Sequence, residues 1–365
     1  MTRIACIGGF LGSGKTTAMI QAARTLVTRE VRVGIITNDQ GHELVDTALV
    51  RSLGFPAAEI GGGCFCCRFS EFAFSAQRLA EQANAEVILA EAVGSCTDLS
   101  ATVCRRLRQS HSSEFTVAPL TVMVEPERIR AMLRDRSPFN EEVRYLFGKQ
   151  LAEADRILIT KADLVNASEA GELVGAVRQF VGETLVSVIS AKEGSGVEDW
   201  VDALLTGNAA GTGVPIDYDI YGAAEASLGW LNANIDLSAQ SDFAPPESAE
   251  ALLAAIQESC RESQIAIAHV KVMIVTAEGS NWVALTATEG LPTWGSTDRL
   301  QACREASMIV NARVCASPEQ LRQILETALQ KITGRRKLTP AVRHMECFAP
   351  RPPQPPAMES ALIGN

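Results

Sequence analysis

The feature that most constrains the fold lies near the start of the chain, which reads "GGFLGSGKTT". The spacing from Gly9 to Thr16 is G-x-x-x-x-G-K-[S/T], the phosphate-loop pattern, which requires a strand before it and a helix after it. Both are predicted, because residues 3–8 form a short apolar run and residues 16–28 have helical character. A chance glycine turn is the alternative, but the position and the flanks favour a phosphate-binding loop.

The residues of this loop have separate expected tasks. Backbone N–H groups from Gly12 to Thr16 are expected to cradle the β-phosphate, and Lys15 is expected to reach the β- and γ-phosphates. The Thr16 hydroxyl is expected to hold Mg²⁺, so Lys15 and Thr16 are also predicted to be catalytic. The predicted nucleotide-binding residues of the loop are Gly9, Gly12, Ser13, Gly14, Lys15, Thr16 and Thr17.

Apolar strands and helix-length segments alternate from the start of the chain to about residue 205. This alternation predicts an α/β fold in which a mostly parallel sheet is covered by helices on both faces. Beyond it, the order of elements favours a smaller α+β domain with an antiparallel sheet. The predicted organisation is a phosphate-loop domain at 1–206, a glycine-rich linker at 207–222, the α+β domain at 223–335 and a proline-rich, unstructured tail at 336–365.

Composition and charge exclude several classes of function. The chain has 365 residues, 33 of them basic and 43 acidic, and its formal net charge of -10 argues against nucleic acid or an anionic membrane as the main partner. No apolar run of about eighteen residues occurs, and the first apolar stretch turns into glycines before a secretory signal is complete. We therefore expect a soluble, cytoplasmic protein whose ten cysteines are mostly free thiols.

Two short motifs that follow later strands favour guanine over adenine. "TKAD" contains the Asp163 carboxylate, which is placed to accept hydrogen bonds from the ring N–H and exocyclic amine of guanine while the Lys161 stem lies over the ring. "SAK" follows the next strand, and its backbone is expected to bind the guanine carbonyl oxygen. Each match alone is weak, because strand ends often carry solvated Lys and Asp, but their order favours GTP. The predicted base-binding residues are Thr160, Lys161, Asp163, Ser190, Ala191 and Lys192.

Two further segments are candidates for the γ-phosphate side of the site. "EAVG" places Glu91 at the end of an apolar strand, where its carboxylate could orient the Mg²⁺ shell or the attacking water, with the Gly94 N–H facing the γ-phosphate. "NDQGHELVD" follows the second strand, where a nucleotide-sensitive loop is expected. Asp39 in this segment is predicted to be catalytic together with Glu91, although an acidic helix N-terminus explains the segment equally well.

These motifs, with "GGGCFCC" at 61–67, occur in the order found in the CobW-type branch of the metal-handling phosphate-loop GTPases, which the chain resembles. This group also contains the nickel-insertion GTPases of urease and hydrogenase. The resemblance covers residues 3–206, and the G-C-x-C-C signature from Gly63 to Cys67 separates this branch from other phosphate-loop proteins. The resemblance implies a metal-binding GTPase, often zinc-linked, that delivers a metal or assists a metal-dependent client protein.

The thiols of Cys64, Cys66 and Cys67 suit a metal ion. Zn²⁺ binds thiolates at about 2.3 Å in tetrahedral geometry, and the preceding glycines permit the sharp bend that would bring three sulfurs to one ion. Three thiolates leave one position for an exchangeable ligand, as a carrier requires, and Cu(I) or Co²⁺ would also fit. Two alternatives remain: the cysteines could serve only as small buried hydrophobic residues, or two of them could form a redox-sensing thiol pair. Cys96 and the scattered cysteines are interpreted as core or surface thiols.

The chain departs from the family pattern in several places. The family's loop after the second strand resembles N-E-F-G-E, whereas here Asp39 and His42 replace the two glutamates. His42 is a candidate nitrogen ligand for the transferred metal. Thr160 stands where Asn is commoner, and we expect this change to weaken a hydrogen bond that locks the backbone. The chain has four histidines and no histidine-rich tract, and the pair His344 and Cys347 is expected to be a chance pair.

The sequence therefore predicts a GTPase that binds a transition metal, with zinc favoured and cobalt open, and that couples GTP binding and hydrolysis to metal transfer. The predicted cofactors are GTP, Mg²⁺ and Zn²⁺, and turnover is expected to be slow and stimulated by the metal or the client. A GTPase accessory to cobalt or cobalamin enzymes and a redox-regulated GTPase are the alternatives. The expected partner is a metal-requiring client protein, without nucleic acid or membrane, and a homodimer is compatible with these features.

Overall fold

The computed structural model describes residues 1–38, 45–133, 137–211, 213–296 and 300–350. Within this part of the chain, the contacts divide into two compact units. The first unit takes in the described residues of 1–40 and 50–224, and the second takes in those of 41–49 and 225–350. Each unit is built on a sheet of its own.

The described residues of the first unit form one sheet of eight strands, and the strands pair in parallel. The strands are β1 (Thr2–Gly9), β2 (Val33–Asn38), β3 (Ala57–Ile60), β4 (Val87–Glu91), β5 (Phe115–Val117), β6 (Thr121–Val124), β7 (Arg156–Ile159) and β8 (Leu185–Val188). Their order is β3-β2-β4-β1-β6-β7-β8, and the short β5 pairs with β1. Every residue of β2 and β4 is buried, and because neighbouring side chains on a strand point to opposite faces, both faces are covered. The predicted parallel sheet is confirmed.

Helices alternate with these strands along the chain. They are α1 (Lys15–Thr28), α2 (Val45–Ser52), α3 (Phe69–Gln82), α4 (Arg105–Ser110), α5 (Pro126–Leu133), α6 (Glu141–Ala152), α7 (Ala167–Val181), α8 (Val197–Thr206) and α9 (Tyr218–Ala226). In α3 the buried residues Phe72, Ala76 and Leu79 recur every three or four positions, so one face of the helix is apolar and packs inward. None of the helices in the described part of the chain combines the length and the hydropathy needed to cross a bilayer.

The segment predicted to be a linker, 207–222, is tied to the first unit. The Ala209 N–H donates to the Val117 carbonyl at 3.0 Å, which attaches the segment to β5. A Cβ at Gly207 would lie 2.7 Å from Pro119 Cγ, so this glycine permits close packing and does not mark a flexible connection. The structure corrects the linker prediction for the described residues of this segment, because residues 218–222 already form the start of α9 and the first unit extends to Ala224.

The described part of the second unit is an antiparallel sheet with long helices on one face. Its elements are β9 (Gly229–Phe243), α10 (Pro245–Glu262), β10 (Ile267–Thr276), β11 (Gly279–Leu285), β12 (Thr293–Trp294), β13 (Cys303–Val314), α11 (Pro318–Arg336) and β14 (Thr339–Phe348). The strand order is β12-β11-β10-β13-β9-β14. Alternate residues of β9, such as Leu231 and Ala233, join Leu252 of α10 and Leu325 of α11 in one hydrophobic core. This separate antiparallel region confirms the predicted α+β architecture.

The other face of the second sheet carries buried polar residues. The Arg313 guanidinium stacks over the Trp230 ring at 3.9 Å and donates to the Asn232 side-chain oxygen at 2.9 Å. Asn311 donates to the same oxygen at 2.8 Å, and the Asn232 amide donates to Glu346 at 2.8 Å. Because these groups satisfy one another, the sheet can hold them away from water.

The predicted unstructured tail begins too early. Residues 339–348 form β14, which pairs with β9 at the edge of the sheet, and the proline-rich stretch that indicated disorder starts only after this strand. On β14, His344 and Cys347 are three residues apart and therefore point to opposite faces. Cys347 packs against the hydrophobic core, whereas the His344 ring lies 4.0 Å from the Glu346 carboxylate. These two side chains do not share an ion. Residues 351–365 lie outside the described part.

Candidate nucleotide and metal site

The carboxyl ends of β3, β2, β4 and β1 lie side by side, because these four strands are parallel neighbours. β1 ends at Gly9, where the phosphate loop (residues 9–16) begins. β3 ends at Ile60, directly before the cysteine loop (residues 61–68), and β4 ends at Glu91. The sheet therefore brings the predicted phosphate, metal and γ-phosphate segments to one edge.

Glycine shapes the backbone of the phosphate loop. Gly9 has a φ of 128°, and a Cβ at this position would lie 2.2 Å from the Met123 carbonyl oxygen, so the loop requires glycine here. α1 begins at Lys15 directly after Gly14, and none of the described side chains caps its first turn. A helix N-terminus of this kind offers its backbone N–H groups to a phosphate.

Two polar side chains are buried in the phosphate loop. The Lys15 ammonium donates to the Gly9 carbonyl at 2.8 Å and to the Phe10 carbonyl at 3.2 Å. Ser13 is 1% exposed, and its hydroxyl has no hydrogen-bond partner among the described residues. Such a hydroxyl costs folding free energy unless a ligand satisfies it. A phosphate oxygen would accept from the Ser13 hydroxyl and attract the Lys15 charge, so the loop fits a phosphate.

Thr16 and Glu91, the two residues predicted to serve Mg²⁺, lie together. The Thr16 hydroxyl donates to Glu91 Oε1 at 3.0 Å, and the Glu91 side chain is buried. Hydroxyl and carboxylate oxygens are the hard ligands that Mg²⁺ prefers, so this donor set fits the ion. Thr17, which is also predicted to bind nucleotide, is exposed in the first turn of α1.

The TKAD and SAK segments are joined by a side-chain hydrogen bond. The Ser190 hydroxyl donates to Asp163 Oδ1 at 2.7 Å, which orients the carboxylate predicted to accept from guanine. Lys161 has a left-handed backbone with a φ of 56°, and its ammonium pairs with the buried Glu125 carboxylate. The other two predicted base-binding residues lie further out, with Ala191 half-buried and Lys192 exposed.

Thr160 connects the base segment to the phosphate loop. Its hydroxyl donates to the Ser13 carbonyl at 2.7 Å and lies 3.3 Å from the Val124 carbonyl. The Thr160 hydroxyl thus makes a bond to the loop carbonyl itself, and the expectation that threonine locks the backbone less strongly than asparagine stays a prediction. The segment that is predicted to bind the base and the loop that fits the phosphate are held at a fixed spacing.

The cysteine loop gathers its three thiols into one cluster. The Sγ atoms of Cys64, Cys66 and Cys67 all lie within 4.8 Å of one another, and the Cys64 and Cys67 sulfurs are 3.5 Å apart. The Cys67 and Arg68 N–H groups both donate to the Cys64 carbonyl, which closes the turn that brings the sulfurs together. Cys64 is buried, Cys66 is half-buried and Cys67 is exposed. The set fits a thiophilic cation that is reached from one side.

Asn38 at the end of β2 holds the cysteine loop in place, a role that the sequence did not suggest. Its amide nitrogen donates to the carbonyls of Ile60 at 2.9 Å and Gly63 at 2.7 Å. Its side-chain oxygen accepts from the Phe65 N–H at 3.0 Å. The available signal was its position, the first residue of the segment "NDQG" at a strand end. Asp39 and His42, the predicted catalytic and metal residues that follow, lie outside the described residues.

The thiols of the cluster differ in acidity. Hydrogen bonds from Cys66, Cys67 and Cys96 hold the pKa of Cys64 well below its usual value. Interaction with Cys64 and the neighbouring thiols raises the pKa of Cys66 well above its usual value. These hydrogen bonds therefore favour the thiolate of Cys64, the form that binds metal. Cys96, which was interpreted as an ordinary core thiol, takes part in this network.

The segment from Ala92 to Ser100, which we call the post-β4 segment, contacts the phosphate loop. A Cβ at Gly94 would lie 2.9 Å from the Leu11 backbone nitrogen and 2.8 Å from its Cδ2 atom, so this segment packs directly on the loop. The predicted γ-phosphate residue Gly94 thus lies against the phosphate loop. No sequence motif identified Leu11 as its neighbour.

The chain matches known proteins over the part that carries these motifs. The family profile described as CobW/HypB/UreG, nucleotide-binding domain, matches residues 3–186, just over half of the chain. The zinc chaperone CobW of Pseudomonas aeruginosa is 25% identical over 230 residues, which cover 56% of this chain and 60% of that protein. The zinc chaperone YeiR of Escherichia coli is 29% identical over 181 residues, 45% of this chain and 47% of that protein.

Among solved structures, the nickel complex of HypB from Helicobacter pylori aligns with a TM-score of 0.41 and 19% identity, over 56% of this chain and 86% of that chain. The chain thus spans about half the length of the curated relatives named above. The family match covers the phosphate loop, the cysteine loop and the TKAD segment. On this match, the protein belongs to the CobW/HypB/UreG family and carries its nucleotide-binding domain.

Proposed function

We propose that this protein is a GTP-hydrolysing metallochaperone that binds a transition metal ion, zinc above all, through Cys64, Cys66 and Cys67. It couples the binding and hydrolysis of GTP to transfer of the ion to a client protein. The observation that carries the proposal is the grouping of three thiols within 4.8 Å at the same sheet edge as the phosphate loop. Two relatives of the chain are zinc chaperones by name, which supports zinc as the cargo.

The nucleotide half of the mechanism uses the phosphate loop. Lys15, now bonded to two loop carbonyls, would turn its charge to the β- and γ-phosphates, and the Ser13 hydroxyl would donate to a phosphate oxygen. Thr16 and Glu91 would hold Mg²⁺, which supplies positive charge to the phosphate oxygens. Glu91 also lies where it could orient the attacking water, so we assign it, with Lys15, to the hydrolytic step.

Recognition of the base would fall to the TKAD and SAK segments. Asp163, oriented by the Ser190 hydroxyl, would accept from the ring N–H and exocyclic amine of guanine. Adenine lacks this pair of donors, so the carboxylate would be left with a poorer partner. We therefore propose GTP and not ATP as the substrate.

The metal half uses the acidity of the cysteine loop. The thiolate form of Cys64 is favoured, because the neighbouring thiols donate to it and lower its pKa. An incoming cation would then displace the protons of Cys66 and Cys67, so binding would be weaker at lower pH. Three thiolates leave one tetrahedral position for a ligand from the donor or the client.

Coupling between the halves would run through two short connections. Asn38 links the end of β2 to the cysteine loop, and Gly94 lies against Leu11 of the phosphate loop. To move the metal site from about 99:1 loaded to 1:99, the two nucleotide states must differ by about 5.5 kcal/mol in metal binding. Linkage requires the effect to be reciprocal, so the metal must change GTP affinity by the same factor.

We assign these tasks to the predicted domain at 1–206. The predicted domain at 223–335 would then serve for docking of the client protein. No residue of the second unit is given a chemical role in the proposal. The assignment of tasks to the two regions is itself testable, because changes in the second region should leave nucleotide turnover without client unchanged.

The proposal is tested by measuring Zn²⁺ affinity, through competition with a chromophoric chelator, in the presence of GDP and of a non-hydrolysable GTP analogue. GTP affinity is measured with and without Zn²⁺, and GTP turnover is measured with Zn²⁺, Co²⁺ or peroxide added. We expect the two affinities to change by one common factor. Cys66→Ser should lower Zn²⁺ affinity by more than about tenfold and remove the effect of Zn²⁺ on turnover.

The matched control is Cys303→Ser, since Cys303 is a half-exposed thiol on β13 of the second unit. This variant should bind Zn²⁺ and turn over GTP like the unchanged protein. An effect of Co²⁺ without an effect of Zn²⁺ would favour a cobalt accessory protein. An effect of peroxide alone would favour a thiol switch. If Zn²⁺ changes neither GTP affinity nor turnover, the coupled mechanism is wrong.

A further inference from the structure

Glu125 is a buried carboxylate that the proposed function leaves without a task. It follows β6 directly, and α5 begins at the next residue, Pro126. Its side chain is 4% exposed. In the sheet, β6 lies between β1, which leads into the phosphate loop, and β7, which leads into the TKAD segment. Because the three strands are parallel, the carboxyl end of β6 lies between the two segments that are proposed to hold the nucleotide.

Two cationic side chains meet at this carboxylate. The Lys161 ammonium of the TKAD segment pairs with Glu125 Oε2, and the Arg128 Nε of α5 lies 3.5 Å from Glu125 Oε1. Each oxygen thus faces a different cation. A buried carboxylate is costly in free energy unless charged or polar partners compensate for the lost water, and these two cations supply such partners. Glu125 therefore joins the TKAD segment to α5.

Arg128 ties the carboxylate to the phosphate loop. Its guanidinium carbon lies 4.6 Å from the centre of the Phe139 ring and 5.3 Å from that of Phe10, a residue of the phosphate loop. The two rings pack edge to face with their centres 5.6 Å apart, and Phe10 is 2% exposed. Buried aromatic faces attract and orient a guanidinium. The contacts therefore run from the phosphate loop through Arg128 and Glu125 to the TKAD segment.

The backbone of Lys161 is held as well as its ammonium. Its φ of 56° lies in the left-handed region, which residues other than glycine rarely adopt. On one side of it, the Thr160 N–H donates to the Val124 carbonyl at 2.9 Å. On the other side, the Ala162 N–H donates to the Ile189 carbonyl at 3.1 Å. With both ends held, the four-carbon stem has few rotamers left. An unpaired lysine stem would instead lose its freedom when a base packs on it, which lowers affinity.

We propose that Glu125 is a positioning residue for guanine. It holds the Lys161 ammonium so that the stem is already ordered as a platform for the base, and Arg128 holds Glu125 in turn. The inference rests on the proposed binding of GTP at the TKAD segment. Glu125 acts through Lys161 on the binding of the nucleotide and not on the hydrolytic step. Because the stem packs on the ring face and does not read the ring edge, the gain in affinity is the same for guanine and hypoxanthine nucleotides.

The test compares Glu125→Gln, which keeps the shape and removes the charge, with Lys161→Met, which keeps an apolar stem and removes the ammonium. Each change should lower GTP affinity by about tenfold, because each frees the stem. ITP affinity should fall by the same factor, and kcat at saturating GTP should stay within about twofold of that of the unchanged protein. The double variant should lose no more affinity than either single variant, because both changes break the same pair.

The matched control is Glu127→Gln, because Glu127 is an exposed carboxylate of the same helix that pairs with Arg130. This variant should bind GTP like the unchanged protein. Losses of affinity that multiply in the double variant would overturn the inference. A Glu125→Gln variant that keeps full GTP affinity, or whose kcat falls by about tenfold, would overturn it as well. Each of these results would leave the proposed function intact.

A measurement on the unchanged protein keeps the inference testable if the Glu125 variant fails to fold. In a crystal structure with GDP bound, the Lys161 ammonium should still pair with Glu125 while its stem lies over the guanine ring. A Lys161 side chain turned away from Glu125 would overturn the inference without touching the proposed function. If the unchanged protein binds neither GTP nor GDP, the proposed function itself fails.

Discussion

In the first unit the buried polar side chains cluster at the carboxyl ends of parallel strands, whereas in the second unit they lie across one face of an antiparallel sheet. Lys15 and Ser13 of the phosphate loop, and Glu91 bonded to Thr16, are polar groups of the kind that fit a phosphate and a cation. Arg313 and Asn232 instead bond to each other and to nearby groups of their own sheet. Buried polar side chains thus fit a ligand where parallel strands end together, and satisfy one another where antiparallel strands pair side by side.

The largest effect is expected in the first unit, where the buried polar side chains are proposed to bind the nucleotide. Lys15→Ala removes the charge proposed to act on the β- and γ-phosphates, and GTP turnover should fall by about 100-fold or more. The bonds lost to the Gly9 and Phe10 carbonyls should lower the thermal midpoint much less than the lost charge lowers turnover. Turnover is measured by phosphate release, and the midpoint by calorimetry.

Lys331→Ala is the control for this change, since Lys331 is a surface residue of α11 that pairs with Glu258. Its turnover should equal that of the unchanged protein. Equal turnover in Lys15→Ala would show that the phosphate loop does not act as proposed.

The next largest effect is expected on the stability of the antiparallel sheet in the second unit. Arg313→Ala leaves the Asn232 oxygen and the Leu231 carbonyl short of a donor in a buried site, and the free energy of unfolding should fall by about 2 to 4 kcal/mol. GTP affinity should stay the same. Urea denaturation measures the first quantity, and nucleotide titration measures the second.

The matched control is Arg304→Ala, because Arg304 pairs with Asp242 at the surface of the same strand. It should cost less than about 1 kcal/mol. A loss of GTP affinity in Arg313→Ala would contradict the view that the polar face of this sheet serves folding alone.

A smaller effect is expected where the post-β4 segment meets the phosphate loop. Gly94→Ala introduces a Cβ that would lie 2.9 Å from the Leu11 nitrogen, so backbone must move. We expect a loss of about 1 to 3 kcal/mol in stability and about a tenfold loss in GTP affinity. Both are measured in one series of nucleotide-dependent thermal shifts.

The control substitution is Gly175→Ala in α7, where the added Cβ would meet no described atom within 4 Å apart from its chain neighbours and the nearby backbone of its own helix. This variant should be stabilised by up to about 1 kcal/mol. Similar behaviour of the two variants would mean that the contact between Gly94 and Leu11 does not constrain the loop.

The smallest effect concerns a buried carboxyl that supports the same segment. Burial raises the pKa of Glu153 from 4.5 to about 8, and Asp98 adds to the rise. The folded protein therefore holds a proton that the unfolded chain releases, so this group should lower stability as pH rises from about 5 to 8. The Cys96 and Cys104 thiols face the same carboxyl.

Glu153→Gln keeps the shape and stays neutral, so an amide can replace the protonated carboxyl beside Thr97 and Ser100. The free energy of unfolding of this variant should change less between pH 5 and pH 8 than that of the unchanged protein. Denaturation at the two pH values measures the difference. An unchanged slope would mean that Glu153 is ionised in the folded protein at neutral pH.

The sequence allowed prediction of those parts that depend on local chemistry. The phosphate-loop spacing, the apolar strands and the three clustered cysteines are each read from neighbouring residues. The parallel sheet followed from strands without polar alternation, such as β4, because both of its faces are covered. The proposed ligand set at Cys64 to Cys67 needed no knowledge of distant contacts.

The parts of the fold and of the candidate site that the sequence did not predict depend on contacts between residues far apart in the chain. Asn38 reaches the Gly63 carbonyl 25 residues away, and the Cys96 thiol interacts with that of Cys64, about thirty residues before it. Neither carries a motif, because an amide at a strand end or one thiol in an apolar run has many ordinary explanations. β14 was missed for a different reason, since the proline-rich composition beyond Pro350 was extended back over residues that pair with β9.

In the proposed metal transfer, the graded exposure of the three loop thiols would give release of the ion a direction. Cys67 faces solvent, Cys66 is half-covered and Cys64 is enclosed. An acceptor's sulfur or nitrogen can attack only from the open side, so it would displace Cys67 first and Cys64 last. Handover would then proceed as a stepwise exchange of ligands, in which the departing ion is never bare and the innermost sulfur is the last to let it go.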